Sequence, residues 1–303
     1  MSNLSCRIAS PHEIDSAKVS LPVWYNPVWM QSIADLYGIL PQILICSKDQ
    51  RDIAYLPYYT KKLLTLKKAY NPVLVYYCPL IFIYEARKNL NRDLLFEYEI
   101  IKEMGGYLNK NYRRINLNLS PDIYDSRGFK DAGLTTKPLY TFTLDLKEDT
   151  LFFPDEMKKL RRAQKQDFSF DTVFELNGFL ELLYSMYDRK THTFPITRND
   201  LKNLLLKLHE AEIIDQYNIR DGNGIVSSQI VLKEVGRKVY CWLAATEAAA
   251  LNKGASILMY WQLFQHLKTD YQNCDLCGAN SSGPARLKAA LGAELKLFFQ
   301  VSK

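Results

Sequence analysis

The residues whose types and spacing could do chemistry in this 303-residue chain are mostly cations. Lys158, Lys159, Arg161, Arg162 and Lys165 crowd the stretch "MKKLRRAQKQ". At helical spacing Lys158, Arg162 and Lys165 share a face, which can follow a row of phosphates or simply be the wet side of a helix. Lys253, Gly254 and Ser256, in "LNKGAS", stand at the start of an apolar-periodic stretch. A helix start offers unbonded N–H groups and a favourable dipole to an anion, and Lys253 adds charge there; the plainer reading is a helix cap. Lys288, in "GPARLKAALG", is expected on the solvent side of a short helix. As a catalytic residue its ammonium would serve an anionic substrate group or a developing oxyanion.

Other chemistry is weakly signalled. Cys274 and Cys277 form a lone CxxC with no second pair, and on a strand their side chains would point to opposite faces, so no metal site is expected. The four histidines have no spacing that suggests a Ser or Cys nucleophile. Asp275 and Glu247 are the available general bases, neither singled out by pattern. Arg189, Lys190, His192 and Phe194, in "YDRKTHTFP", sit at a helix-to-loop junction that reads by itself as an exposed turn.

Composition sets broad limits. At 48% hydrophobic residues the chain can bury a large core, and a net charge of +6 suits an anionic partner without requiring one. The six scattered cysteines lack the spacing of a disulfide scaffold, and "MSNLSCRIASPHEID" lacks the pattern of a signal peptide, so a reducing cytoplasm is the expected setting. "NPVLVYYCPLIFIYE" is cut by Pro72 and Pro79, too short for a membrane-spanning helix, and reads as buried strand.

Elements must position these groups, and their order repeats. Turn signals at Asp221 to Gly224 and at Gly236 divide three strands; a long helix follows "LNKGAS", then the strand "NCDLCGA", a short helix from Gly283 to Leu291 and the strand "AELKLFFQV". Ahead of them lie a helix through "FPDEMKKLRRAQKQ", the strand-like "FSFDTVFE" and two more helices. In the first half, strands at Gln42 to Cys46, Ile53 to Tyr58 and Val75 to Tyr84 precede a helix through "RDLLFEYEIIKEMGGYL", the strand "RRINLNL", a short helix and "LYTFTLDL". "DSRGFKDAGLTTKPLYTFTL" and "NSSGPARLKAALGAELKLFF" then run through the same events, each with a helix bearing one lysine (Lys130, Lys288) and closed by a glycine (Gly133, Gly292). The reading is an α/β fold with mixed sheet in two tandem units, 1–146 and 147–303, the second carrying the site.

With those stretches in place, the chain resembles the GNAT acyltransferases, and from about Trp24 onward their Fem-type branch, which contains two GNAT-like units. The resemblance rests on "GFKDAGLTTKPLYTFTLDL", "MKKLRRAQKQ", "YDRKTHTFP" and "CDLCGANSSGPARLKAALGAEL". It implies an acyltransferase that moves an acyl or aminoacyl group from acyl-CoA or aminoacyl-tRNA to an amine, the acceptor being a cell-envelope or saccharide precursor. The donor is then a substrate, and no tightly bound cofactor is implied. CoA-binding members carry Arg or Gln, two residues, Gly, one residue, then Gly or Ala; here Leu251 and Ser256 depart from that pattern around Gly254. Many place a Tyr four residues before the glycine that closes the short helix, whereas the Fem-type pattern has a lysine there, as "LKAALG" does with Leu287 in place of Phe. Donor contacts thus fall to Lys253, Gly254, Ser256, Lys158, Arg161, Arg162 and Lys165, and acceptor contacts to Arg189, His192 and Phe194. Partners would include a small or lipid-linked acceptor, with tRNA and peripheral membrane contact compatible and DNA not expected. No long helical hairpin stands between Gly178 and Ala211, so tRNA contact would rest on the basic surface. The rival reading is a noncatalytic binding protein that keeps the fold.

Overall fold

The computed structural model describes residues 4–14, 21–63, 66–85, 90–149, 151–234 and 238–303. In chain order the elements are β1 (Leu4–Ala9), α1 (Pro27–Tyr37), β2 (Leu40–Lys48), β3 (Arg51–Leu63), β4 (Leu66–Tyr70), β5 (Ile81–Phe82), α2 (Leu90–Asn111), β6 (Arg114–Asn118), α3 (Arg127–Asp131) and β7 (Thr135–Asp145). There follow α4 (Pro154–Ala163), β8 (Ser169–Asp171), α5 (Leu176–Arg189), α6 (Arg198–Glu210), β9 (Ile214–Asp221), β10 (Gly224–Glu234) and β11 (Lys238–Thr246). The chain ends with α7 (Ala248–Asn252), α8 (Ala255–Leu267), β12 (Asn273–Asp275), α9 (Ser282–Ala290) and β13 (Glu294–Ser302). The turn expected at Gly236 lies outside the described residues.

Contacts divide the chain into Met1–Tyr140 with Leu297–Lys303, and Thr141–Lys296. Against the division expected at 146/147, the cut falls inside β7 and the C-terminal residues return to the first unit. In the first unit the strand order is β1-β2-β3-β4-β6-β13, with β4 and β6 parallel and β6 antiparallel to β13. In the second it is β7-β12-β11-β10-β9-β8, with β11 and β12 parallel and β12 antiparallel to β7. The two plans match: an antiparallel meander, a crossover helix (α2 or α8), a parallel strand and a short helix (α3 or α9). Parallel neighbours need such a crossover because a tight turn cannot join them. The strand that closes each sheet then comes from the other repeat. Gly133 and Gly292 end the short helices at φ +82° and +78°, a left-handed backbone that glycine adopts without strain.

The expected apolar strand from Val75 to Tyr84 is mostly not a strand; only Ile81–Phe82 pairs, with β3. Two prolines and a left-handed Leu74 (φ +78°) break the extended run, yet Tyr77, Cys78 and Leu80 are buried, so the apolar signal marked core without marking sheet. In the second unit α8 buries Ile257, Leu258, Leu263, Phe264 and Leu267 against Tyr217, Ile219, Val231, Val239 and Cys241 of the sheet. That burial fixes which way α8 starts, and the site depends on it. No helix among the described residues is long and apolar enough to cross a membrane.

Candidate functional site

β12 pairs with β11 only from Lys238 to Tyr240, after which β11 runs on to Thr246 without it. A cavity of about 210 Å³ lies in the second unit along that continuing part of β11. Arg189 and Lys190 lie where α5 ends, Ser227, Ser228 and Gln229 come from β10, Ala244 and Thr246 from β11, Ser256 and Met259 from α8, and Leu287 from α9. No carboxylate and no histidine is in this lining. Such a wall can position and polarise reactants, but it offers no carboxylate or imidazole to take a proton.

The strand beneath the cavity is bent. Ile230 pairs with Leu243 and Val231 with Cys241, so Trp242 is an extra residue in β11, a bulge that re-aims the strand beyond it. Gln229 Nε2 donates to Ile230 O at 3.0 Å and Leu243 O at 2.9 Å and so braces the bulge. Ser227 Oγ and Thr246 Oγ1 are hydrogen-bonded at 2.8 Å on the same sheet face. None of these three side chains stands out in the sequence. The available signal was "VSSQ" inside a strand otherwise fit for a core, since buried polar groups need a reason to be there.

Lys288 is not the exposed lysine that the sequence suggested. It is 7% exposed, and its ammonium donates to the carbonyls of Cys277 and Gly278. Burial pushes its pKa down from the ordinary lysine value. Its neighbour Leu287 faces the cavity; one residue on, a helix has turned about 100°, and Lys288 is directed at the loop after β12. That loop carries two left-handed residues, Cys277 at φ +52° and Gly278 at φ +69°. Asp275 is fully buried, accepts from Thr141 Oγ1 and Cys277 N at 2.8 Å each, and so serves the same loop and not the cavity. Cys274 lies with its Sγ 3.6 Å from that of Cys241, and both it and Cys277 have thiol pKa values pushed up, Cys274 first by the Cys241 hydrogen bond and Cys277 by burial. They are not poised as thiolates. Glu247 stands at the N-cap position of α7 with no side-chain capping bond, and lines a separate hollow together with Lys253.

The start of α8 at Gly254 is closely packed on one side. Gly254 is the N-cap of α8 at φ +87°, and a Cβ there would stand 2.9 Å from Lys159 O and 3.1 Å from Ala163 Cβ. Glycine is needed for its backbone angle and because α4 lies directly on it. Ile257 N and Leu258 N already donate to Gly254 O. Beside it, Lys159, Arg162, Ser256 and Glu156 line a second cavity of about 530 Å³, which shares Leu251, Ser256 and Leu287 with the first. Lys158, Arg161, Arg162 and Lys165 are all exposed on α4 or just past its end. Lys158 pairs with Asp155 at 3.3 Å, while the other three make no ion pair among the described residues.

The structure separates the three expected acceptor residues. Arg189 lines the first cavity, His192 is exposed outside its lining, and Phe194 is 6% exposed, packed between Tyr184 and Tyr187 with ring centroids at 5.6 and 4.9 Å. A ring so enclosed supports the turn and is not available to a ligand.

No protein-family profile and no curated protein matches the sequence. Solved structures do match the fold. FemX superposes with a TM-score of 0.69 over 97% of this chain and 96% of that one, at 12% identity. The chain has the Fem-type tandem-GNAT fold. A tandem GNAT protein from the clavulanic acid biosynthesis pathway gives 0.55 over 99% and 98% at 9% identity, and L-PGS from Bacillus licheniformis gives 0.51 over 83% and 81% at 13%. Within this Fem-type fold, the first cavity lies along β10 and the end of β11, interior strands of the second sheet, and the second lies beside the start of its crossover helix.

Proposed function

We propose that the second unit transfers an aminoacyl or acyl group to an amine, and that its donor is an aminoacyl-tRNA in preference to acyl-CoA. The observation that carries the choice of donor is the approach of Lys159 O and Ala163 to Gly254. In CoA-using GNAT enzymes the N–H groups at this helix start hold a pyrophosphate; here α4 closes one side of Gly254, so an anion would have to approach through the second cavity, which the Glu156 carboxylate also lines. The exposed cations of α4 offer an alternative hold on a polyanion at the rim of the second cavity. The acceptor amine belongs to a cell-envelope or saccharide precursor, soluble or lipid-linked, and reaches the first cavity past Arg189 and Lys190. Holding amine and ester together in one cleft supplies much of the acceleration in such reactions. Lys288 keeps the loop after β12 in place behind them.

Filter binding with a bulk aminoacyl-tRNA mixture, uncharged tRNA and acetyl-CoA tests the reading. Aminoacyl-tRNA is expected to bind and acetyl-CoA not. Changing Lys158, Arg161, Arg162 and Lys165 together to Gln should weaken tRNA binding and flatten its salt dependence, by about 0.9 in log–log slope for each duplex phosphate no longer neutralised. Acetyl-CoA binding with an unchanged salt slope for tRNA would transfer the proposal to CoA. A protein that binds none of the three is the noncatalytic alternative.

A further inference from the structure

The floor of the first cavity is polar in a specific way. Gln229 is 1% exposed and lies on the α8 face of β10, the face of Val231, as do Ser227 and, across the ladder, Thr246. Its Nε2 is committed to two carbonyl oxygens, Ile230 O and Leu243 O, which can only accept. That fixes which end of the amide is which without observing hydrogens, and it leaves Oε1 as an acceptor with no hydrogen-bond partner among the described residues. Oε1 is not among the sealed, unsatisfied buried atoms, so it is reached from the cavity that Gln229 lines. In the Ser227–Thr246 pair one hydroxyl donates to the other, so one hydroxyl hydrogen remains to be given. Ser227 and Gln229 are two apart on one strand, about 7 Å between Cα atoms. An N–H and a C=O on adjacent atoms, with a hydrogen bond on each side, bridge such a span. The lining holds Arg189 and Lys190 and no carboxylate, which disfavours an ammonium and favours a neutral N–H.

We propose that this floor is an amide-recognition site, in which Gln229 Oε1 accepts from a substrate N–H and the Ser227–Thr246 hydroxyl pair donates to the neighbouring C=O. The inference rests on the transfer reading in one respect: during transfer the same atoms hold the attacking neutral amine and the carbonyl. The N–C bond forms, the ester C–O bond breaks, and one proton passes from the nitrogen to the leaving oxygen through water. The amide produced then keeps both hydrogen bonds. Gln229 is a substrate-positioning residue here, and it takes no proton.

The two probes are N-butylacetamide and butyl acetate, which differ at the N–H. Both are titrated into the full chain carrying 13C-methyl methionine, and the resonances of Met186 and Met259, which line the cavity, report binding. The wild-type protein should favour the amide about 3- to 10-fold, the range for one hydrogen bond. Gln229→Met should bring that ratio to about one with butyl acetate affinity retained. Ser227→Ala with Thr246→Val should weaken both probes alike and keep the ratio, which tests the floor even if Gln229→Met unsettles the bulge. Equal affinities in the wild type, or a ratio unmoved in a folded Gln229→Met protein, would overturn the inference while leaving transfer intact. Selective amide binding in a protein that transfers nothing would overturn the transfer reading and leave the floor as assigned.

Discussion

Lys288 is where residue type and residue role part company. A lysine at a given place on a short helix was legible in the sequence, but its burial was not, because exposure depends on the loop after β12 folding back over α9. The Cys277 and Gly278 carbonyls accept from its ammonium, and removing a donor from buried carbonyls costs about 1–3 kcal/mol. Lys288→Ala is therefore expected to lower stability by about that amount in urea titrations, whatever it does to turnover. The pH dependence has a definite sign. With the folded-state pKa below the unfolded value of 10.5, the unfolded chain binds more protons in the window between the two, so this group's contribution to stability rises as pH rises through that window. Lys288→Met should remove that slope; a slope unchanged by the substitution would show that the lysine titrates normally. At the same scale Gln229, Ser227 and Thr246 are silent in the sequence because their meaning lies in a bulge and a cross-strand pairing that no local pattern announces.

At the scale of elements, the second unit was the more legible. Its turn at Asp221 to Gly224, its long crossover helix and its glycine-closed α9 all have local causes, and each appears where expected. The first unit was harder. β4 carries the exposed Lys67 and Lys68 and lacks the apolar alternation that betrays a half-buried strand, whereas β1 does alternate, Leu4, Cys6 and Ile8 against Ser5 and Arg7, but over only six residues. α1 has a start and a face that local chemistry explains, Asn26 capping Val28 N and Trp29 N with Pro27 at the first helical position, and Trp29, Met30, Ile33 and Ala34 recurring at helical spacing on the buried side. "LNKGAS" does start a helix, but what lies against it is tertiary. Gly254→Ala decides between its two roles: forcing a side chain into the left-handed region against Lys159 O should cost about 1–3 kcal/mol. Thermal unfolding should show that loss together with protease sensitivity in α4. A folded, equally stable Gly254→Ala protein would mean that α4 does not press on α8, and that the helix start has room for the CoA pyrophosphate.

At the scale of the whole chain, duplication was legible and strand exchange was not. The repeated helix, glycine and strand predict two similar units, but nothing local says that the strand after α9 belongs to the first sheet. Leu297–Lys303 nevertheless does: Val301 is fully buried in the first unit's core, Phe298 packs edge-on against Tyr77 at 5.3 Å, and Leu119 N and Ile115 N both donate to its backbone. Two consequences separate this arrangement from a chain whose halves fold independently. Phe298→Ala, although it lies in the second repeat by sequence, should destabilise the first unit by about 3–5 kcal/mol, the usual cost of emptying a core phenylalanine site. A chain ending at Lys296 should lose hydrogen-exchange protection in β6, which pairs with Gln300–Ser302, and then in β4 beside it. The amides of β9 and β10, paired within the second unit, should keep theirs. Protection lost equally in both units would place the C-terminal residues outside the first unit's core, and protection unchanged in β6 would show that the first sheet closes without them.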